Sequence, residues 1–334
     1  MNPMHSPSGL LARRIERLWW QNIPPPLPLQ AISHIYAWFS RRDQRRRLAR
    51  RQTPPLPLIS VGNITAGGSG KTPFVIWLAD ALKSRGYQPV ILCRGDGGSL
   101  RTPSLVGADM PAQTAGDEAR MLADACACPV IAGRDRVAAA AVAQQYGNVI
   151  VLDDGFQYRQ LARQCDIVLV PATGLGNGRL IPAGPLREPL AALSRADLIV
   201  RTGAGTPMPI ATEQRQWQWQ ARISHLEDAM HTGTPEPRQV AAVSAIARPQ
   251  RFHDDLSRHG CVIDTFRVFP DHHRYSHRDV AHLLALPAPI AITAKDAVKL
   301  VPLWPRDRPL WVARQQAEAE PGLFKAILER LSGP

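Results

Sequence analysis

The sequence lacks any apolar run of the roughly 18–20 residues needed to cross a bilayer. It also has no small-residue cleavage site after its first apolar stretch. Neither a membrane-spanning helix nor a secretory signal is therefore expected. Cysteine is scarce and scattered: Cys93, Cys126, Cys128, Cys165 and Cys261 are odd in number, which argues against a disulfide framework. Cys126 and Cys128 sit too close for the usual zinc spacing and have no companion Cys-x-x-Cys, so buried free thiols and a cytosolic catalytic part are expected. No internal repeat recurs. Acidic residues are nearly absent where basic ones collect. Residues 1–60 hold ten arginines against Glu16 and Asp43, which is +8 of the total +12, while the other 274 residues carry only +4. Such placement marks a basic N-terminal segment, not a body that is basic throughout.

What is present is globular. Hydrophobic residues make up 45% and charged residues 20% of 334 positions, enough to bury one large or two modest cores. The run from Val61 to Pro73 organises the chain. An apolar strand at residues 56–61 leads into Thr65-Ala66-Gly67-Gly68-Ser69-Gly70-Lys71-Thr72, and an amphipathic helix follows to about Arg85. Strand, glycine-rich loop and helix opening on Lys-Thr form the context of a phosphate-binding P-loop. Backbone N–H groups there can curl around a phosphate beside the positive end of the helix dipole. Lys71 would neutralise β/γ-phosphates and the Thr72 hydroxyl would ligate Mg²⁺. Thr65 stands where the consensus has its first glycine.

Upstream, residues 9–21 place Leu11, Ile15, Leu18 and Trp19 on one helical face, with Arg13, Arg14 and Arg17 away from it. After Pro24-Pro25-Pro26, Leu29, Ile32, Ile35, Tyr36 and Phe39 recur at helical spacing and run into an arginine cluster at 41–47. An amphipathic helix on an anionic membrane surface is the favoured reading; packing on the protein's own core and a basic arm for nucleic acid are the alternatives. Downstream, strands are expected at 89–93, 129–132, 148–152, 166–170 and 197–201, with helices at 74–85, 116–126 and 136–145 between them. That alternation predicts an α/β fold, a P-loop kinase-type parallel sheet with helices on both faces. After the linker 203–210, strands at 238–243, 261–269, 289–293 and 309–312 and a helix at 321–331 predict a second, smaller α/β lobe. The expected organisation is a membrane-associating segment 1–50, a nucleotide-binding lobe 51–205 and a smaller lobe 206–334.

Ligands of parallel sheets sit at the carboxyl ends of strands, so residues there were inspected for chemistry. Asp153 and Asp154 end the strand 148–152 where a Walker-B carboxylate would hold Mg²⁺; a plain Asp-Asp-Gly turn is the alternative. Asp117 and Glu118 open a helix, where they either complement its dipole or serve as acceptor base and metal ligand. Arg136 opens another helix, and Arg187-Glu188 lie in the proline-rigid loop 182–189. Either arginine could clamp a transferring phosphate or simply pair at the surface. Asp271, His272 and His273 follow the strand 261–269. No third ligand has zinc spacing, so a histidine partner for Asp117 or a helix cap at Asp271 is expected instead.

These segments together resemble the tetraacyldisaccharide 4′-kinases. The resemblance rests on Val61–Pro73, Gly116-Asp117-Glu118, Leu152-Asp153-Asp154-Gly155-Phe156-Gln157, residues 176–189 ending in Gly-Pro-Leu-Arg-Glu-Pro, Phe269-Pro270-Asp271-His272 and Thr293-Ala294-Lys295-Asp296. The resemblance implies ATP- and Mg²⁺-dependent phosphorylation of the 4′-hydroxyl of an acylated glucosamine disaccharide 1-phosphate, at the cytoplasmic face of the inner membrane. It would make Asp117 the activating carboxylate, assisted by His272. Residues Thr65 to Thr72, with Glu118 and the Asp153/Asp154 pair, would serve ATP and Mg²⁺. Arg136, Gln157, Arg187 and Glu188 would complete the site, Glu188 among the metal-binding carboxylates. The expected partners are the lipid substrate and an anionic membrane surface, with no nucleic acid. One departure stands out: Cys93-Arg94-Gly95-Asp96-Gly97 carries an acid where the family usually has an aromatic. A membrane-associated P-loop switch remains an alternative, but no Asn-Lys-x-Asp string for guanine recognition is present.

Overall fold

The computed structural model describes residues 15, 17–21, 23–67, 70–203, 210, 212, 214–246, 248–271 and 273–332. Leu11, Arg13 and Arg14 of the expected first helix, and most of the expected linker at 203–210, lie outside them. Helix α1 (Leu27–Ala49) is followed by β1 (Leu58–Asn63) and α2 (Lys71–Lys83). Next come β2 (Pro89–Cys93), β3 (Ser104–Leu105), α3 (Asp117–Ala125), β4 (Val130–Ala132), α4 (Arg136–Ala143), β5 (Val149–Asp153), β6 (Cys165–Pro171) and β7 (Leu198–Thr202). The second part holds β8 (Gln216–Asp228), β9 (Gln239–Ser244), α5 (Pro249–His259), β10 (Val262–Val268) and α6 (His277–Leu284). It closes with β11 (Ile290–Thr293), α7 (Ala294–Leu300), β12 (Trp311–Ala319) and α8 (Leu323–Ser332).

The strands join one sheet in the order β10-β9-β11-β12-β8-β7-β6-β1-β5-β2-β4-β3. The parallel sheet expected from the β/α alternation is corrected to a mixed one. From β4 to β8 the pairs are parallel, and from β10 to β12 they are parallel again, but β8 and β12 run antiparallel, as do β3 and β4. Two parallel blocks thus meet through one long antiparallel pair. β7 pairs only with 216–219 of β8, and β11 only with 311–313 of β12. Residues 220–225 and 314–318 between those ends pair with each other alone, a two-stranded ribbon in which backbone twist is least restrained. β8 was not among the expected strands, although its apolar residues Trp217, Trp219, Ala221 and Ile223 alternate and are all buried.

Burial explains why the first block is straight and continuous. Each residue of β1, β2, β5 and β6 is buried, as suits strands covered on both faces. Odd and even positions separate: Val149 and Val151 pack with Phe74, Leu78 and Leu82 of α2, while Ile150 and Leu152 pack with Ala139, Ala140 and Ala143 of α4. The chain end returns to this block, since Leu323, Ile327 and Leu331 of α8 and Trp217 and Trp219 of β8 belong to its core. Trp219 meets Phe74 edge-on at 5.3 Å, and Trp77 meets Phe324 at 6.3 Å.

β1 ends beside the turn that follows β5, and a glycine makes that approach possible. A Cβ on Gly62 would lie 2.5 Å from the Phe156 Cβ and 2.7 Å from its backbone nitrogen. Gly62→Ala is therefore expected to cost about 1–3 kcal/mol through overpacking at a fully buried position. Urea denaturation measures it; a midpoint equal to that of the parent protein would show that the two turns are not in register by necessity.

Candidate active site

The loop after β1 is held by the proline-glycine loop that carries Arg187. Thr65 forms a bridge with Leu186, Ala66 N–H donates to Pro185 O at 2.7 Å, and Arg187 N–H donates to Ile64 O at 2.7 Å. Gly67 and Gly70 take left-handed φ values of 93° and 80°, the latter starting α2 at Lys71. Gly68 and Ser69 lie outside the described residues. The Asn63 side chain donates to Thr65 O at 2.8 Å and accepts from Lys71 Nζ at 3.3 Å, so one residue fixes both the loop and its lysine.

Lys71 and Arg187 converge on Asp154. Lys71 Nζ is 3.2 Å from Oδ1, and one Arg187 nitrogen reaches Oδ1 at 3.2 Å and Oδ2 at 3.0 Å. Asp154 adopts a positive φ of 51°, unusual outside glycine, which turns its carboxylate toward both cations. Burial pushes this carboxyl upward, but Lys71 and Arg187 together hold it at about 2. Its neighbour behaves in the opposite way. Asp153 is 4% exposed, and burial pushes it up to about 7 against the pull of Lys71, with Glu118 and Asp154 raising it further. Its Oδ1 is buried without a hydrogen-bond partner. An orphaned carboxylate oxygen next to two other acids suits a divalent cation. Among the described residues, no three His, Cys, Asp or Glu side chains form a self-contained metal cage. A Mg²⁺ ion that takes one or two carboxylates and completes its shell with phosphate and water fits that arrangement.

A cleft of about 1090 Å³ opens over this centre and is lined from both blocks. Gly67, Gly70, Lys71, Thr72, Glu118 and Arg187 come from the first; Arg251, Asp255, Asp271 and Lys295 come from the second. Asp117, in the first turn of α3, is paired with Lys299 of α7 at 2.7 Å, an ion pair that crosses between the blocks. Asp271 pairs with Lys295 at 3.2 Å. The segment around it is anchored by Asp296, which is fully buried and accepts from the Tyr275 hydroxyl (3.0 Å), the Thr293 hydroxyl (2.7 Å) and Ala245 N–H (3.1 Å). Tyr275 packs in turn against Phe269 and His273. His272 lies outside the described residues.

Three further expected site residues have partners outside the cleft lining. Arg136 is buried against Tyr158, 5.2 Å from its ring, and donates to Arg134 O. Gln157 donates to Asn63 O and so braces the end of β1. Glu188 lies behind the loop, 2.9 Å from Arg195, in a second cavity of about 220 Å³ beside α1 that also includes Arg41, Arg45 and Arg159. Asp96, at the departure from the family pattern, turns back onto Arg94 at 3.0 Å. Sequence reasoning missed Asn63, Arg251, Asp255 and Lys299. Asn63 alone had a local signal, as the last residue of β1.

Helix α1 lies against the Arg187 loop with its polar side inward. Ser33 donates to Leu180 O and accepts from Ala183 N–H, Tyr36 donates to Arg187 O at 2.9 Å, and Gln44 donates to Gln157 O. Leu27, Ile32, Ile35, Trp38 and Phe39 face outward and are 49–79% exposed. The expected apolar face is thus split, with Tyr36 inside and Ile32, Ile35 and Phe39 outside. No described helix is long and apolar enough to cross a membrane.

Comparison with known proteins gives a consistent result. A family model described as Tetraacyldisaccharide-1-P 4′-kinase matches residues 26–332. The tetraacyldisaccharide 4′-kinase of Azoarcus sp. is 40% identical over 318 residues, covering 91% of this chain and 90% of that protein. The protein of the same name from Alcanivorax borkumensis is 36% identical over 334 residues, covering 97% and 99%. Among solved structures, the "apo" form of LpxK from Aquifex aeolicus in complex with ATP aligns with a TM-score of 0.73 at 28% identity, over 90% of this chain and 98% of that one.

The raised Asp153 predicts a pH-dependent stability. Between the ordinary carboxylate range and about pH 7, the folded state keeps a proton that the unfolded chain has released, so stability falls as pH rises. Above that window both states are ionised and the whole cost remains. Asp153→Asn should therefore stabilise the nucleotide-free protein at pH 8 by on the order of a few kcal/mol, and by less at pH 5. Urea unfolding at the two pH values tests this; an offset independent of pH would contradict the assignment.

Proposed function

The chain belongs to the tetraacyldisaccharide 4′-kinase family, and from that premise we propose that it transfers the γ-phosphoryl group of ATP to the 4′-hydroxyl of an acylated glucosamine disaccharide 1-phosphate. The observation that carries this reading is the convergence of Lys71 and Arg187 on Asp154 at the mouth of the β1–α2 loop. Two cations held there by one carboxylate are in place to meet the terminal phosphates of a nucleotide whose chain lies against the start of α2. Arg187 offers a planar fork and Lys71 a point charge, so the pair both orients and neutralises. Thr72, Asp153 and Glu118 are the residues that would hold Mg²⁺, with Asp154 beside them. When bound, Mg²⁺ supplies charge neutralisation across the β- and γ-phosphates.

Asp117, at the start of α3 beside the cleft-lining Glu118, is the group proposed to accept the proton of the acceptor hydroxyl as the oxygen bonds to phosphorus. Lys299 holds its carboxylate from the opposite block. His272 is proposed as the partner of Asp117, following the family motif Phe269-Pro270-Asp271-His272. The closure of the cleft by the two blocks would exclude water and favour transfer to the sugar over hydrolysis.

The outward apolar row of α1, flanked by Arg41, Arg42, Arg45 and Arg46, fits a helix lying in the interface of an anionic leaflet. It supports a reading in which the protein works at the cytoplasmic face of the inner membrane, where a substrate can present its sugar while its acyl chains stay in lipid.

Incubation of the protein with Mg-ATP and the disaccharide 1-phosphate lipid should yield a product bearing one added phosphoryl group at the 4′ position, read by mass spectrometry. ATP hydrolysis without that product would overturn the reading. Asp117→Ala should lower kcat by about 10²–10⁴-fold while ATP binding persists. Replacement of Ile35, Trp38 and Phe39 by serine should abolish flotation with anionic vesicles while leaving the unfolding midpoint nearly unchanged, because all three side chains are exposed. Undiminished flotation of that variant would remove α1 as the membrane contact.

A further inference from the structure

The second block sends one arginine across the cleft to the phosphate loop. Arg251 lies on α5, which is seated firmly: Phe252 and Leu256 are buried among Val240, Ala242, Ala291 and Trp311. Arg251, just before Phe252, lines the cleft. One guanidinium nitrogen of Arg251 comes within 3.8 Å of where a Cβ on Gly70 would be, and the other within 4.0 Å of the same point on Gly203. Gly70 is the residue immediately before Lys71. The guanidinium therefore stands at the N-terminal end of α2.

Its local partner holds it only loosely. Asp255 is 3.8 Å from Arg251, whereas Arg258 reaches the same carboxylate at 2.7 Å. Arg251 faces that carboxylate through Nε, while its two terminal nitrogens stand toward Gly70 and Gly203. The two cations of the first block, by contrast, are both engaged with Asp154.

We propose that Arg251 is a catalytic residue that contacts the terminal phosphates of the bound nucleoside triphosphate and neutralises charge developing on them during transfer. This rests on the kinase reading above. The bond between the γ-phosphorus and the β–γ bridging oxygen breaks, the acceptor oxygen forms the new bond, and the acceptor proton passes to Asp117; Arg251 neither gains nor loses a proton. Because Arg251 belongs to the second block and Lys71 to the first, the full set of positive groups assembles only when the blocks face each other. An arginine supplied in cis from a separate element can act in the same way as one supplied by a partner protein.

The test compares Arg251→Ala, Arg251→Lys and His253→Ala in the full chain. Arg251→Ala should lower kcat for lipid phosphorylation by about 10²–10³-fold, with KM for ATP changed by less than about threefold. Arg251→Lys should recover part of the loss and millimolar guanidinium should restore activity to the alanine variant, neither of which a merely structural defect would allow. His253→Ala, on the same helix but outside the cleft lining, should retain the parent rate. A second readout needs no lipid: Mg-ADP with aluminium fluoride should bind tightly to the parent protein and weakly to Arg251→Ala, by titration calorimetry. Parent-like kcat in Arg251→Ala, or an equal loss in His253→Ala, would overturn the proposal. Should the parent protein fail to phosphorylate the lipid, the kinase reading fails, and the aluminium fluoride comparison still decides whether Arg251 meets the phosphates.

Discussion

Asp154 holds together three segments that are distant along the chain. Its carboxylate receives Lys71 from the start of α2 and Arg187 from the loop after β6, while its own left-handed backbone sets the angle at which β5 ends. Burial alone would make this acid a poor anion, yet the two cations keep it ionised, at about 2. Without the anion, two positive groups would face each other in a partly enclosed site, an arrangement that costs more than the loss of one ordinary pair. The adjacent Asp153 feels Lys71 as well, but burial dominates and raises it to about 7. Two neighbouring aspartates thereby acquire different tasks. One is a permanent charge that orders the cations, and the other is poised to receive a cation or a proton.

The same electrostatic logic extends across the cleft. Asp117 is gripped by Lys299 and Asp271 by Lys295, both from α7. The helix is itself fixed through Asp296, whose buried carboxylate collects three hydrogen bonds from β9, the loop before α6 and the end of β11. A shift of α7 would therefore be felt at Asp117 and at the loop after β10 together. The string Thr293-Ala294-Lys295-Asp296 has its physical explanation here: Thr293 and Asp296 cap and anchor the helix, and Lys295 faces the cleft.

Local chemistry was legible in the sequence, and long-range pairing was not. The strands of the first block follow from runs of adjacent residues, and each appears within two residues of where its pattern put it. The antiparallel join of β8 to β12 depends on partners about ninety residues apart, which no single period reveals. β8 itself was readable in the alternation Gln216-Trp217-Gln218-Trp219-Gln220-Ala221, yet it was passed over beside an unpatterned linker. Glu188 shows the limit most clearly. Its neighbour Arg187 points to Asp154, while Glu188 points to Arg195 on the other side of the loop, because successive residues of an extended segment face opposite ways. Lys299 and Arg251 carry no motif around them; only the meeting of two blocks gives them a role.

Helix α1 reverses the usual arrangement of an amphipathic helix on a protein surface. Its contacts with the body are hydrogen bonds from Ser33, Tyr36 and Gln44, and its large apolar side chains face away. Full burial of one such side chain is worth about 1.5–3 kcal/mol, a stabilisation that Leu27, Ile32, Ile35, Trp38 and Phe39 leave largely unrealised against their own chain. A lipid interface would recover part of it. The inner face ends on the backbone carbonyl of Arg187 through the Tyr36 hydroxyl, so the helix proposed to meet the membrane also steadies the loop that delivers a cation to Asp154. Binding at the surface and order at the phosphate site are therefore properties of one helix, and a change that lifts α1 from the loop must loosen both.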